Sequence, residues 1–210
     1  MTERFPRTAT NIIAAITGIV WVLTAIAGYS TQADFSLGFI PLRVTTNIAG
    51  LNAVPAFLTP LTATLVHSGL VHLGFNLLML VWCGAAVERV IGANGVVILY
   101  LIGAYAAAAA QWAVDPGGST PMIGASGAIS AVMGAFALSF GRAKAFTTNL
   151  RLNRWINVAW LLAAWVVLQF MMGWLAGGQG YLLATPAHVG GFAAGLLLQR
   201  PLLLWRYRSA

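Results

Sequence analysis

Charge is what this sequence has least of. Asp, Glu, Lys and Arg make up 7% of its 210 residues, against about 25% in a soluble globular domain. The acidic residues are Glu3, Asp34, Glu88 and Asp115 and no others. So few charges cannot cover a water-facing surface. A soluble enzyme is therefore excluded, and the 60% hydrophobic content reads as a polytopic membrane protein. Cysteine is nearly absent as well. Cys83 stands alone inside an apolar run, so no intrachain disulfide can form. There is no His-Glu-x-x-His, which excludes the usual intramembrane zinc protease, and no phosphate-binding Gly-x-x-x-x-Gly-Lys loop. No pair of aspartates lies within the apolar runs, which excludes an aspartyl protease. No residue pattern asks for a cofactor or a metal. The net charge of +7 comes from basic residues in short loops and the tail, so it does not point to nucleic acid.

What is present is a series of apolar runs. The expected fold is all-α: six transmembrane helices in one bundle, forming a single domain over residues 1–210. A short polar tail, residues 1–10, precedes a first span from Asn11 to Tyr29. That span is longer than the ~7–15 residues of a signal-peptide core, although Ala25-Ile26-Ala27 resembles a cleavage site. The connection from 30 to 66 carries Pro41, Pro55 and Pro60 and is too broken for a clean span. Its apolar residues Phe57, Leu58, Leu61, Leu65 and Val66 are expected to hold it at the membrane interface. Further spans run from about Leu70 to Val90, Gly95 to Val114, Ile123 to Phe140, Trp155 to Ala176 and Thr185 to Leu204. With six spans, ten of the eleven basic residues fall on one side and only Arg43 on the other. The positive-inside rule then puts both termini in the cytoplasm of a multi-pass cell-membrane protein.

Against this background a few polar residues stand out. Ser126, in Gly124-Ala125-Ser126-Gly127, opens the fourth span. His72 and Asn76 fall in the first two turns of the second, and His188 in the first turn of the sixth. Even-numbered spans enter from the outer side, so all four lie at one depth. Each has a bland reading: an intramembrane Ser or His often only packs or bonds a neighbouring helix, and Asn can act as helix glue. Together they suggest chemistry. Serine becomes a nucleophile when a base takes its proton, and neutral histidine is the usual base. Gly127 lies at small-xxx-small spacing with Ala131, and Gly191 with Gly195, which permits the close helix approach that would bring Ser126 to His188. No acid is placed to complete a triad, so a Ser126–His188 dyad is the economical assignment. His72 and Asn76, four residues apart on one face, and the Ser126 backbone N–H could donate to a developing oxyanion. His67, about 140° away from His72 around a helix, is expected to face elsewhere as a structural residue. Glu88-Arg89 reads as an interfacial ion pair or cap. The Gly177–Gly180 stretch is a candidate mobile loop.

These residues resemble the motifs of the rhomboid family of intramembrane serine proteases, over roughly residues 55–200. His67-x4-His72-x3-Asn76, Gly124-Ala125-Ser126-Gly127, and Ala187-His188-Val189-Gly190-Gly191 with Gly195 are similar to three family motifs in the same order. Glu88-Arg89 also looks like the family's second-helix ending. The resemblance implies a serine endopeptidase that cuts other membrane proteins in or near their transmembrane segments. It implies Ser126 as nucleophile, His188 as base, His72 and Asn76 at the oxyanion site, and Gly124 shaping the loop before the nucleophile. Gly127, Gly191 and Gly195 would support the helix contact, with the bilayer and transmembrane-helix substrates as partners. Two departures are visible. Ser130 stands where well-studied members carry a tyrosine packed on the catalytic histidine, and the stretch near Leu58-Thr59 lacks the Trp-Arg of many members. The alternatives are a catalytically silent rhomboid-like binder of transmembrane helices and a small transporter or channel. The absence of a charge central to any span and of an inverted repeat speaks against the last.

Overall fold

The computed structural model describes residues 8–47, 51–141, 147–175 and 184–208. The expectations attached to Arg4, Arg7, Arg142, Lys144 and the Gly177–Gly180 loop fall outside those residues. Among the described residues the chain is all-helical, and its one β-feature is an isolated bridge between Phe39 and Met122. The elements are α1 (Thr8–Ile26), α2 (Ser30–Leu37), α3 (Thr59–Thr62), α4 (Leu70–Met79), α5 (Ala85–Val114), α6 (Ser126–Phe140), α7 (Leu150–Leu175) and α8 (Thr185–Arg206).

The first helix begins earlier than the apolar pattern suggests, at Thr8 within the expected polar tail, for an electrostatic reason. The buried Glu88 carboxylate accepts the Ala9 N–H at 3.1 Å, the Thr10 N–H at 3.0 Å and the Thr10 hydroxyl at 2.5 Å. Free N–H groups at a helix start favour such an anion. Glu88 is therefore a cap supplied by another helix, which also anchors α1 to the bundle. The fifth run likewise starts at Leu150 rather than Trp155, because Asn149 Oδ1 accepts the Arg151 and Leu152 N–H groups.

A five-residue π-helical turn, Leu80–Gly84, joins α4 to α5. Within α5 the backbone breaks helical geometry at Gly92, with φ 80° and ψ 168°. The contacts show that the chain reverses there. His72 lies by Gly124, Gly127 lies by Ala107, and Gly92 lies far from both, beside Arg206 near the end of α8. Residues 70–91 and 93–114 are thus two antiparallel helical runs, matching the second and third apolar runs of the sequence. Arg206 donates to the Glu88 and Arg89 carbonyls and so closes the run before the reversal.

The centre of the bundle is where α5, α6 and α8 pack with almost no side chain between them. A Cβ on Gly191 would sit 2.1 Å from the Gly127 carbonyl oxygen, and one on Gly195 would sit 2.0 Å from that of Ala131. The expected glycine groove is present and runs along α6. Around this seam Leu80, Val87, Val96, Leu99, Ile129 and Val132 are fully buried.

The 30–66 connection is ordered over its described part, and it straps down the loop that precedes α6. The Phe39–Met122 bridge, the Leu42 N–H to the Gly118 carbonyl (3.0 Å) and the Gly124 N–H to the Ala63 carbonyl (2.9 Å) make the ties. Its apolar residues divide: Val66 is buried, whereas Phe57 is 69% exposed.

Candidate active site

Ser126 is the first residue of α6, three residues later than the apolar run begins. The delay has a local cause. Gly124 holds φ at +106°, a conformation other residues rarely adopt, and a Cβ there would lie 2.7 Å from the His72 ring. Glycine is required on both counts, and the loop turns into the helix only after it. The N–H groups of the first helical turn are therefore directed out of the helix end, as expected for the Ser126 amide.

Ser126 Oγ and His188 Nε2 are 2.9 Å apart, and both side chains are buried. The distance follows from the groove: Gly127 and Gly191 meet next to these residues, so their helices can approach to backbone contact. With the hydroxyl donating to Nε2, the ring proton resides on Nδ1, which among the described residues has no hydrogen-bond partner. Among the described residues neither ring nitrogen bonds a carboxylate.

His72 stands against Gly124. The Ser68 N–H approaches its Nδ1 at 3.5 Å and the Ser68 hydroxyl at 3.2 Å. A backbone N–H can only donate, so Nδ1 accepts and the proton is on Nε2, the atom beside Gly124. His72 thus offers a donor beside Gly124, and it shares the cavity described below with Ser126. Asn76 is fully buried, and its Nδ2 donates to the His72 carbonyl of its own helix at 2.9 Å. Its Oδ1 has no partner. Asn76 braces the His72 turn in this arrangement and keeps its second Nδ2 hydrogen.

His67 was expected to face away, and here the structure differs. It precedes α4, so helical spacing does not apply to it. Its ring meets that of His72 edge-on at 4.9 Å, and its Nε2 accepts the Ala125 N–H at 3.3 Å. It fixes the residue before Ser126. The Trp21 indole N–H in turn donates to the His67 carbonyl at 2.8 Å, tying α1 to the same point.

Ser130, the first of the two departures, bonds to its own helix and to α7. The Ser130 hydroxyl donates to the Ser126 carbonyl at 2.7 Å and accepts the Trp165 indole N–H at 2.7 Å. Trp165 is 1% exposed and stacks on Phe75, with ring centres 5.9 Å apart. An indole on α7 thus bonds the helix that carries Ser126. No sequence signal marks this pairing, because Trp165 is one of eight tryptophans and lies 35 residues from Ser130.

A cavity of about 180 Å³ opens on this group, with Ser126, His188, His72 and Gly124 in its wall. Gln111, at the end of α5, also lines it, and its Oε1 is buried without a hydrogen-bond partner. Among the described residues no group of three or more His, Cys, Asp or Glu side chains is arranged to hold a metal ion.

A hydroxyl bonded to a buried imidazole thus stands at the wall of a cavity inside an apolar helical bundle. Comparison with known proteins gives this helical bundle its family. The family model described as the rhomboid domain matches residues 55–205, and the chain belongs to the rhomboid family. It is similar to rhomboid-type serine protease 2 of Emericella nidulans, with 30% identity over 138 residues, 63% of this chain and 24% of that protein. It is also similar to rhomboid protease GluP of Bacillus subtilis, with 31% identity over 128 residues, 61% of this chain and 24% of that protein. The chain spans about a quarter of the length of these curated relatives.

Proposed function

We propose that the protein is an intramembrane serine endopeptidase that hydrolyses peptide bonds in or near the transmembrane segments of other membrane proteins. The observation that carries this reading is the buried 2.9 Å contact between Ser126 Oγ and His188 Nε2 at the wall of a cavity. His188 takes the hydroxyl proton as Ser126 attacks the carbonyl carbon, and returns it to the leaving amine. The His72 Nε2–H and the Ser126 amide are the donors assigned to the oxyanion, and Asn76, which is fully buried and does not line the cavity, holds the His72 turn in place. Water then releases the acyl group by the same route in reverse order. No step calls for a metal.

The setting supports the membrane part of the proposal. Residues 9–26 and 70–114 are long and apolar enough to cross a bilayer, the latter twice given the reversal at Gly92. Large apolar side chains face outward, among them Ile19, Leu78, Trp82, Trp160 and Leu197. Such an exterior suits lipid rather than water. Six crossings with both termini on the cytoplasmic side fit the distribution of basic residues. The dyad then lies in the outer half, and substrate helices must unwind locally, since helical carbonyls are already bonded.

The test is co-reconstitution with a panel of single-span substrates. Wild type cleaves, and Ser126→Ala and His188→Ala each lose cleavage by at least about 10³-fold. A fluorophosphonate labels wild type and not Ser126→Ala. Unchanged cleavage in either variant would refute the dyad. Correctly folded wild type that neither cleaves nor labels would favour a silent helix-binding protein.

A further inference from the structure

At the end of the bundle away from Ser126, a cleft of about 570 Å³ opens between the C-terminal part of α6, the first turns of α7 and the second half of α8. Three exposed arginines line it: Arg151 and Arg154 from α7 and Arg200 from α8. Nothing in the peptidase reading uses them. Among the described residues they also have no carboxylate beside them in the cleft. Of the four acidic residues, Glu3 lies outside the described residues, Glu88 caps α1, and Asp34 and Asp115 belong to the connections at the Ser126 end. Three like charges sharing one cleft repel one another, and an anion between them removes that repulsion.

The remaining walls say which anion. Leu196, Leu203 and the Trp155 ring, which is 57% exposed, continue the cleft along the apolar side of the bundle. Arg154 is already oriented, because its Nη2 donates to the Leu138 carbonyl at 3.2 Å and its other donors stay available. The ligand that matches has a phosphate at one end and hydrocarbon at the other.

We infer that this cleft is a binding site for an anionic glycerophospholipid. The phosphate sits among Arg151, Arg154 and Arg200, and the acyl chains lie over Leu196 and Leu203 beside Trp155. Basic clefts between helices at the headgroup level are a general means of holding such lipids. Arginine suits the task because its planar fork pairs two donors with phosphate oxygens. The inference rests on the membrane reading above, which sets this end of the helices in the headgroup layer. The bound lipid bridges α7 to α6 and α8.

Native mass spectrometry of the full chain released from detergent tests this, with phosphatidylglycerol, phosphatidylcholine and inorganic phosphate as separate probes. Wild type is expected to retain one phosphatidylglycerol and to shed phosphatidylcholine. Each arginine removed should weaken retention about fivefold, and Arg151→Gln/Arg154→Gln/Arg200→Gln together about 100-fold. Arg200→Gln alone guards against misfolding of the triple variant, and Arg208→Gln, which removes one charge outside the cleft, should leave retention unchanged. Equal retention of phosphatidylcholine, or no loss in the arginine variants, overturns the site. Displacement of phosphatidylglycerol by millimolar inorganic phosphate overturns the assignment to a lipid. Binding is read without substrate and also in Ser126→Ala, so a failed protease assay leaves it standing. A failed membrane reading would show separately, as a protein that stays monodisperse without detergent.

Discussion

Gly191→Ala is the substitution that most directly probes how the two reacting side chains are brought together. The added methyl group would lie 2.1 Å from the Gly127 carbonyl oxygen and 3.1 Å from Ser130 Cβ, where ordinary contact begins at 3.4 Å. The first obstacle is backbone and cannot rotate away, so α6 and α8 must separate by roughly 1 Å at that point. The residue next to Gly127 is Ser126, and His188 lies one helical turn before Gly191. The separation therefore falls on the 2.9 Å Ser126–His188 contact and carries it beyond hydrogen-bond range. Misplacement of reacting groups by about 1 Å lowers rates by about 10²-fold. Overpacking of this kind destabilises by about 1–3 kcal/mol. The assay is kcat/KM on a reconstituted single-span substrate, with thermal unfolding measured on the same samples. Gly74→Ala is the matched control, since a Cβ at Gly74 meets nothing within 4 Å. The expected result is a loss of about 10²-fold in Gly191→Ala from folded protein and no loss in Gly74→Ala. Wild-type kcat/KM in folded Gly191→Ala would refute the idea that backbone contact between α6 and α8 sets the geometry of the dyad.

Other perturbations have equally definite outcomes. Glu88→Gln replaces a carboxylate that accepts three hydrogen bonds with a group that must turn a donor toward some of the same donors, and should lower stability by about 2 kcal/mol in denaturant unfolding. Wild-type stability in that variant would mean that α1 is held by its apolar face alone. Trp165→Phe keeps a buried ring but drops the bond to Ser130, which should lower stability by about 1 kcal/mol, with a change in kcat greater than that in KM. An unaltered kcat would limit Trp165 to packing. Burial raises the Asp34 carboxyl above its ordinary 3.8, so the folded state holds that proton more tightly than the unfolded chain does. Its contribution to stability is greatest below 3.8 and is lost as pH rises through the folded value. The stability of Asp34→Asn relative to wild type should therefore increase as pH rises through the folded value, leaving the variant no less stable at neutral pH. A variant that loses stability relative to wild type as pH rises would reverse the sign argued here.

The amino-acid sequence by itself determined the all-helical class of structure and singled out the candidate residues of the site. Scarcity of charge and length of apolar runs are properties of the chain, and they are enough to specify apolar helices because only helices satisfy their own backbone in lipid. Ser126, His72, Asn76 and His188 were legible because a polar residue in an apolar run is conspicuous, and the glycines were legible from their spacing. Tertiary structure alone decided how these residues meet. The reversal at Gly92, the cap that Glu88 gives α1, the place of His67 beside Ala125 and the bond from Trp165 to Ser130 each join residues whose spacing carries no signal. Asn76 shows the same limit within a single helix: sequence put it on the face of His72, but only the packed bundle turned its amide onto the His72 carbonyl. Periodicity reports which way a side chain points along its own helix, whereas the partner it finds depends on how closely the helices approach, and that distance is fixed by the whole bundle.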